Sequence, residues 1–195
     1  MENEIISNYP WGSHICMFYK GRDELTAGLI QYFKSGLENN EFCIWALPDE
    51  LEVEAARTAL SKEIEGLERY IHSGQIEIRN YRDYYIHDGI FSALNMLDWW
   101  ARREREILGQ KFSGIRVAGD GTDLFNAQAF KMNIYEKEIN NFIGRMKIKA
   151  LCTYSLDRID TLNILNIIAY HQFTIVNRNS GWEVFRPSEI NNLFV

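Results

Sequence analysis

Four histidines, three cysteines and a handful of strand-end polar residues are where chemistry could reside in this chain of 195 residues. The histidines are His14, His72, His87 and His171, and no two of them form an H-x-x-x-H or H-E-x-x-H pair. A metal site would therefore need ligands far apart in sequence, and none is assigned. A lone histidine at the edge of a strand or helix is more often a cap or a satisfied polar contact than a ligand. Cys16, Cys43 and Cys152 are odd in number, lack C-x-x-C spacing and lie within apolar runs, the pattern of buried, reduced thiols. A redox role would require an exposed thiol of lowered pKa. Ser155 follows an apolar run but sits in no G-x-S-x-G elbow, so no catalytic residue is assigned.

Phosphate chemistry has a more specific sequence requirement. The stretch from His14, "HICMFYKGRDELTAG", has the apolar strand and glycine bend of a nucleotide-binding domain. It lacks the G-x-x-x-x-G-K-[ST] whose backbone N–H groups, lysine and hydroxyl hold phosphates and Mg²⁺. In its place stands one glycine, Gly21, followed by Arg22, Asp23 and Glu24. Two carboxylates in the first turn of a helix occupy the end that would otherwise attract an anion. Nucleotide binding in the usual manner is not expected, and no cofactor is. The run "IRVAGD" ends on Asp120 in the manner of a Walker-B strand, a weak signal without the phosphate loop.

The elements that must position these residues follow from periodicity. Short β-rich apolar runs at His14–Tyr19, Phe42–Leu47, Ile76–Tyr81, Gly114–Asp120 and Ile148–Leu156 read as strands. Between them lie helical stretches. Leu25, Leu29, Phe33 and Leu37 recur every four residues, with Ile30 widening the stripe. Further helices are expected over 48–71, with bends at Gly66 and Gly74, and over 90–108, 126–146 and 160–171. After the last helix, two β-rich runs flank Asn179-Ser180-Gly181, a hairpin signal. Strands alternating with helices predict an α/β fold of three layers, α/β/α. Its central sheet is mainly parallel, and a C-terminal antiparallel hairpin lies at one edge. One domain over residues 1–195 is expected, with its core at about 14–186 and short tails. Ligands of such sheets bind beyond the carboxyl ends of the strands. Many aromatics, among them Tyr19, Trp45 and Tyr154, fall at or near those ends and suggest an apolar-walled pocket for a small uncharged ligand.

The formal net charge of −6 disfavours direct nucleic-acid binding. The densest basic run, "ARREREILGQK", alternates in sign as a solvated helix face does. No stretch approaches the roughly 18–20 apolar residues of a membrane span. The acidic N-terminus is unlike a secretory signal, so a cytoplasmic location is expected.

Taken in order, "SHICMFYKGRDEL", "GLENNEFCIWALPDE", "YYIHDGIF", "IRVAGD", "YEKEIN", "LCTYSLDRI" and "AYH" resemble the MEDS domain, the sensory domain of DcmR-type regulators of methanogens and methylotrophs. The resemblance implies a relative of the KaiC/RecA-like core without a working phosphate loop. It also implies a non-enzymatic sensory role for small hydrocarbon or one-carbon compounds, with output to a transcriptional regulator or histidine kinase. Carried over by position, His14, Arg116, Asp120, Glu136, Tyr154 and His171 match the family pattern, Asp120 replacing a commoner glutamate. With Tyr19 and Trp45 they form the expected ligand-binding set. The chain has no room for a helix-turn-helix or a kinase, so it is expected to act in trans or alone, and a homodimer is compatible with this. Two other readings stay open: a degenerate nucleotide-binding protein and a ligand-free interaction module.

Overall fold

Apolar runs of about six residues that are buried on both faces must pair with one another, and here they assemble one sheet. The computed structural model describes residues 5–87, 89–178 and 181–187. Its strands are β1 (His14–Tyr19), β2 (Phe42–Leu47), β3 (Ile76–Asn80), β4 (Ile86–His87), β5 (Ile90–Phe91), β6 (Ile115–Asp120), β7 (Ile148–Ser155), β8 (Phe173–Arg178) and β9 (Gly181–Phe185). The main sheet has the order β3-β2-β6-β7-β1-β8-β9. Every pairing in it is parallel except β8 with β9, the antiparallel pair at the edge. Asn179 and Ser180, on which the hairpin expectation rested, lie outside the described residues, as does the expected tail from 188 onward.

Helices cover both faces. On one side lie α1 (Gly21–Glu38), α2 (Val53–Glu63) and α3 (Leu67–His72), whose Leu29, Phe33, Leu60 and Leu67 pack on Ile15, Met17 and Trp45. On the other lie α4 (Arg82–Tyr85), α5 (Ala93–Gly109), α6 (Thr122–Ile143) and α7 (Thr161–Tyr170), packed on Phe18, Val117 and Tyr154. The sequence differs from this in two places. The stretch expected as one helix over 48–71 is two, because Gly66 takes a left-handed conformation with φ +69° and separates α2 from α3. The segment before α5 holds the short helix α4 and the small β4–β5 hairpin, too brief to show a period.

Strand parity decides which face each side chain joins, since successive residues point to opposite sides. His14, Cys16 and Phe18 align with Ala150, Cys152 and Tyr154, and Val117 and Gly119 with Ala150 and Cys152. These face α5–α7. Arg116 aligns with Lys149, Asp120 with Thr153, and Trp45 with Ala118, and these face α1–α3.

Candidate functional site

Beneath the α6–α7 side of the sheet, four side chains from four elements meet. His14 opens β1, Cys152 lies in β7, Glu136 is on α6 and His171 caps the end of α7. One donor atom from each falls within 4.8 Å of the others. His14 Nε2 stands 3.2 Å from Glu136 Oε2, His171 Nε2 stands 3.5 Å from the same oxygen, and Cys152 Sγ is 3.5 Å from His14 Nε2. The two imidazoles stack with centroids 3.9 Å apart. His14, Glu136 and His171 are almost wholly buried, while Cys152 is only partly so.

Local sequence explains each placement. On α6, Met132, Tyr135, Ile139 and Ile143 recur at helical spacing as the buried stripe, and Glu136 stands inside that stripe. α7 starts at Asp160, whose side chain accepts from the Leu162 N–H. Its last turn leaves carbonyls without helical partners. The Ile167 carbonyl lies 2.6 Å from His171 Nδ1, and the Tyr170 carbonyl 3.3 Å from His14 Nδ1. A carbonyl only accepts, so each Nδ1 carries the proton and donates it. Both Nε2 atoms are then turned toward a carboxylate oxygen of Glu136. Tyr154 donates to Glu136 Oε1 at 2.8 Å, leaving Oε2 with no hydrogen bond of good geometry, and His171 Nε2 is equally without one.

The electrostatics follow from burial. Desolvation, reinforced by the neighbouring His14, holds His171 down at about 3, so it is neutral. Burial pushes Glu136 upward, but the His14 contact, the proximity of His171 and the Tyr154 hydroxyl outweigh it, leaving Glu136 below its usual value. Burial and then the Glu136 charge push the Cys152 thiol well up.

Next to the cluster lies a cavity of about 20 Å³ lined by His14, Tyr85, Trp100, Val117, Tyr135 and Cys152, among others. One water needs roughly 10–15 Å³ measured in this way, so the space takes one or two non-hydrogen atoms. Its polar neighbours are few, Trp100 donating its indole N–H to the Tyr135 hydroxyl at 3.0 Å.

The expected ligand-binding set therefore divides between the faces. His14, Glu136, Tyr154 and His171 meet at the cluster. Tyr19, Trp45, Arg116 and Asp120 lie on the opposite side. There Arg116 donates through Nε to Glu41 at 2.5 Å and to the carbonyls of Ser7 and Tyr32, while Lys149 donates to the other Glu41 oxygen at 2.7 Å. Tyr19 and Thr153 donate to Asp120 Oδ2 at 2.9 and 3.0 Å, and the Thr122 N–H to Oδ1. Burial still raises Asp120 to about 6. Trp45 packs on Phe33 with centroids 5.4 Å apart. A single pocket bounded by His14, Arg116 and Asp120 together is not what the sheet builds. His14 also stands at the amino end of β1, so the cluster lies under the sheet rather than beyond its carboxyl edge.

At that carboxyl edge, the Gly21 N–H donates to Asp157 and the Lys20 N–H to Glu24 at 2.7 Å. Carboxylates already fill the first amides of α1, where a phosphate would bind. Arg158 is held by Glu50 and Asp123, and Arg82 by Asp49 at 2.5 Å, so these two cations of the rim are paired.

A family model described as the methanogen/methylotroph, DcmR sensory domain (MEDS) matches residues 13–172. The chain belongs to the MEDS family. No curated protein matches it. Its fold is similar to that of a KaiC-like protein from the hyperthermophilic archaeon Pyrococcus horikoshii OT3, with 15% identity and a TM-score of 0.60 over 91% of this chain and 78% of that one. No helix among the described residues is long and apolar enough to cross a membrane. The MEDS match spans all four cluster residues. Sequence reasoning left Cys152 aside as an inert thiol. Its spacing of two from Tyr154 placed both on one strand face, but only the sheet order set that face against His14. Glu41 and Lys149 were missed because a charged residue beside or within a strand carries no local sign of its partner.

Proposed function

We propose that this protein is a non-enzymatic sensory domain that takes a very small, weakly polar compound into the cavity beside His14 and Cys152. The observation that carries this reading is the pairing of an apolar cavity of about 20 Å³ with a buried polar cluster whose Glu136 Oε2 and His171 Nε2 lack hydrogen bonds. Membership in a sensory family supports it, and the room available suits one-carbon or similarly small molecules. Larger ligands would have to displace Tyr85 or Trp100. Ligand entry alters the setting of Glu136 on α6 and His171 at the end of α7. The same helices present Phe130, Ile134, Leu162 and Leu165 outward, so a shift inside reaches a surface that a regulator or kinase partner reads. A ligand signals only if it favours one arrangement over another.

The competing nucleotide reading is disfavoured by the carboxylates of Glu24 and Asp157 on the first amides of α1. A thermal-shift series with methylated and halogenated one-carbon compounds beside Mg-ATP tests both. The sensor reading expects a rise in melting temperature with at least one small compound, by mass action, and none with Mg-ATP. The rise should vanish in Ala150→Leu, which fills the cavity. A response to Mg-ATP alone would replace the sensor with a nucleotide-binding protein.

A further inference from the structure

The cluster has a composition that sensing alone does not demand. Two imidazole nitrogens, a carboxylate oxygen and a sulfur converge on one point, drawn from β1, α6, β7 and α7. All four are lone-pair donors once the thiol is deprotonated. With both Nδ1 atoms turned to the carbonyls of Ile167 and Tyr170, both Nε2 atoms face Glu136, and Glu136 Oε2 and His171 Nε2 have no hydrogen bond. Lone pairs facing one another in a dry interior repel, and burying them unpaired is costly. A cation at their centre removes that cost.

We infer that His14, Glu136, Cys152 and His171 form a binding site for a single divalent transition-metal ion, best matched by Zn²⁺. The spacing agrees. Bonds of about 2.0–2.3 Å to a tetrahedral ion place neighbouring N, O and S ligands roughly 3.3–3.6 Å apart. Three of the six separations are 3.2 Å for His14 and Glu136, 3.5 Å for His171 and Glu136, and 3.5 Å for Cys152 and His14, and all six lie within 4.8 Å. The choice of ion follows from the donors. A thiolate with two imidazoles is too soft a set for Mg²⁺ or Ca²⁺, which prefer all-oxygen shells.

The surroundings supply the outer hydrogen bonds that such sites use. Metal-bound histidines hand their other N–H to a backbone carbonyl or carboxylate, which fixes tautomer and ring orientation, and a bound carboxylate is itself hydrogen-bonded. Ile167, Tyr170 and the Tyr154 hydroxyl do this here. The ion would cross-link β1 to the end of α7 and to α6, tying together segments more than a hundred residues apart in sequence. Binding releases the Cys152 proton to solvent and leaves a thiolate on the metal. Because the cavity reaches His14 and Cys152, an occupant would touch the metal's own ligands. The inference does not depend on the sensing reading.

The test is a titration of the full-length, chelator-treated protein with Co²⁺, followed by Zn²⁺. One Co²⁺ per chain is expected, with the intense visible bands of four-coordinate cobalt and a near-ultraviolet thiolate band. Zn²⁺ should bleach both and raise the melting temperature. Cys152→Ser should lose the thiolate band, His171→Gln should weaken binding at least tenfold, and His72→Gln should change nothing. The inference is overturned by wild-type protein that takes up no cobalt. It is equally overturned by a cobalt spectrum unchanged in both Cys152→Ser and His171→Gln, which would place the metal on surface groups. Stoichiometric metal binding with no response to any one-carbon compound would uphold the site and remove the sensing reading.

Discussion

The two faces of the central sheet bury similar amounts of polar chemistry and treat it differently. Toward α1–α3, Glu41 is shared between Arg116 and Lys149, both cations also lie against aromatic rings, and Asp120 receives three hydrogen bonds. Toward α5–α7, Glu136 and His171 each keep an atom without a hydrogen bond, beside an apolar cavity. The first arrangement is closed and its purpose is met by the protein alone. The second is incomplete, and an incomplete buried polar group is a place for something else. Burial of a charge is therefore no guide to whether it binds a ligand; the count of satisfied atoms is.

The largest expected effect that would break this comparison lies on the closed face. Glu41→Gln strands Arg116 and Lys149 as buried cations and should cost about 3–5 kcal/mol, read from urea denaturation. A loss under 1 kcal/mol would mean that the triad is wetter than its burial implies.

Acidity separates the faces next. His171, held down at about 3, contributes stability that is complete above its unfolded value near 6.5 and lost as pH falls toward 3. Asp120, raised to about 6, does the reverse: its contribution is complete below the unfolded value of 3.8 and lost as pH rises through 6. Between pH 4 and 6 the two oppose each other with slopes of roughly 1.4 kcal/mol per pH unit each. In metal-free protein, His171→Gln should make stability fall more steeply with rising pH across this window, and Asp120→Asn should make it rise more steeply. Parallel profiles for the two variants would dissolve the contrast.

A smaller effect tests the packing behind the closed face. A Cβ at Gly36 would lie 2.6 Å from Arg116 Cδ and 2.9 Å from Cys43 Sγ, so Gly36→Ala should cost about 1–3 kcal/mol despite alanine's better helix propensity. The smallest effect is expected at the open face. Glu136→Gln keeps an oxygen for Tyr154 and removes a charge whose Oε2 has no hydrogen bond, so metal-free stability should stay within about 1 kcal/mol of the parent. A loss as large as that of Glu41→Gln would show that Glu136 is as structurally committed as Glu41.

Much of the scaffold was legible in sequence because it is local. The strands from His14, Phe42, Ile115 and Ile148, and the four-residue stripe of α1, each announce themselves within a window of ten residues. The absent phosphate loop was equally legible, and so was the acidic first turn that replaces it. The β4–β5 hairpin was not, since two-residue strands have no period, and the break at Gly66 was visible only as a bend. His14, Glu136, Tyr154 and His171 were marked as candidates, but so were Tyr19, Trp45, Arg116 and Asp120, and nothing local told the groups apart.

The sequence by itself determined the alternation of strands and helices, the family, and the absence of a G-x-x-x-x-G-K-[ST] loop, because short-range pattern and residue type suffice for these. Tertiary structure alone decided that His14 meets Cys152, Glu136 and His171, and that Arg116 instead meets Glu41 and Lys149. The reason is geometric. Parity fixes which residues of one strand share a face, but only the order β6-β7-β1 and the parallel register set the faces of different strands against each other.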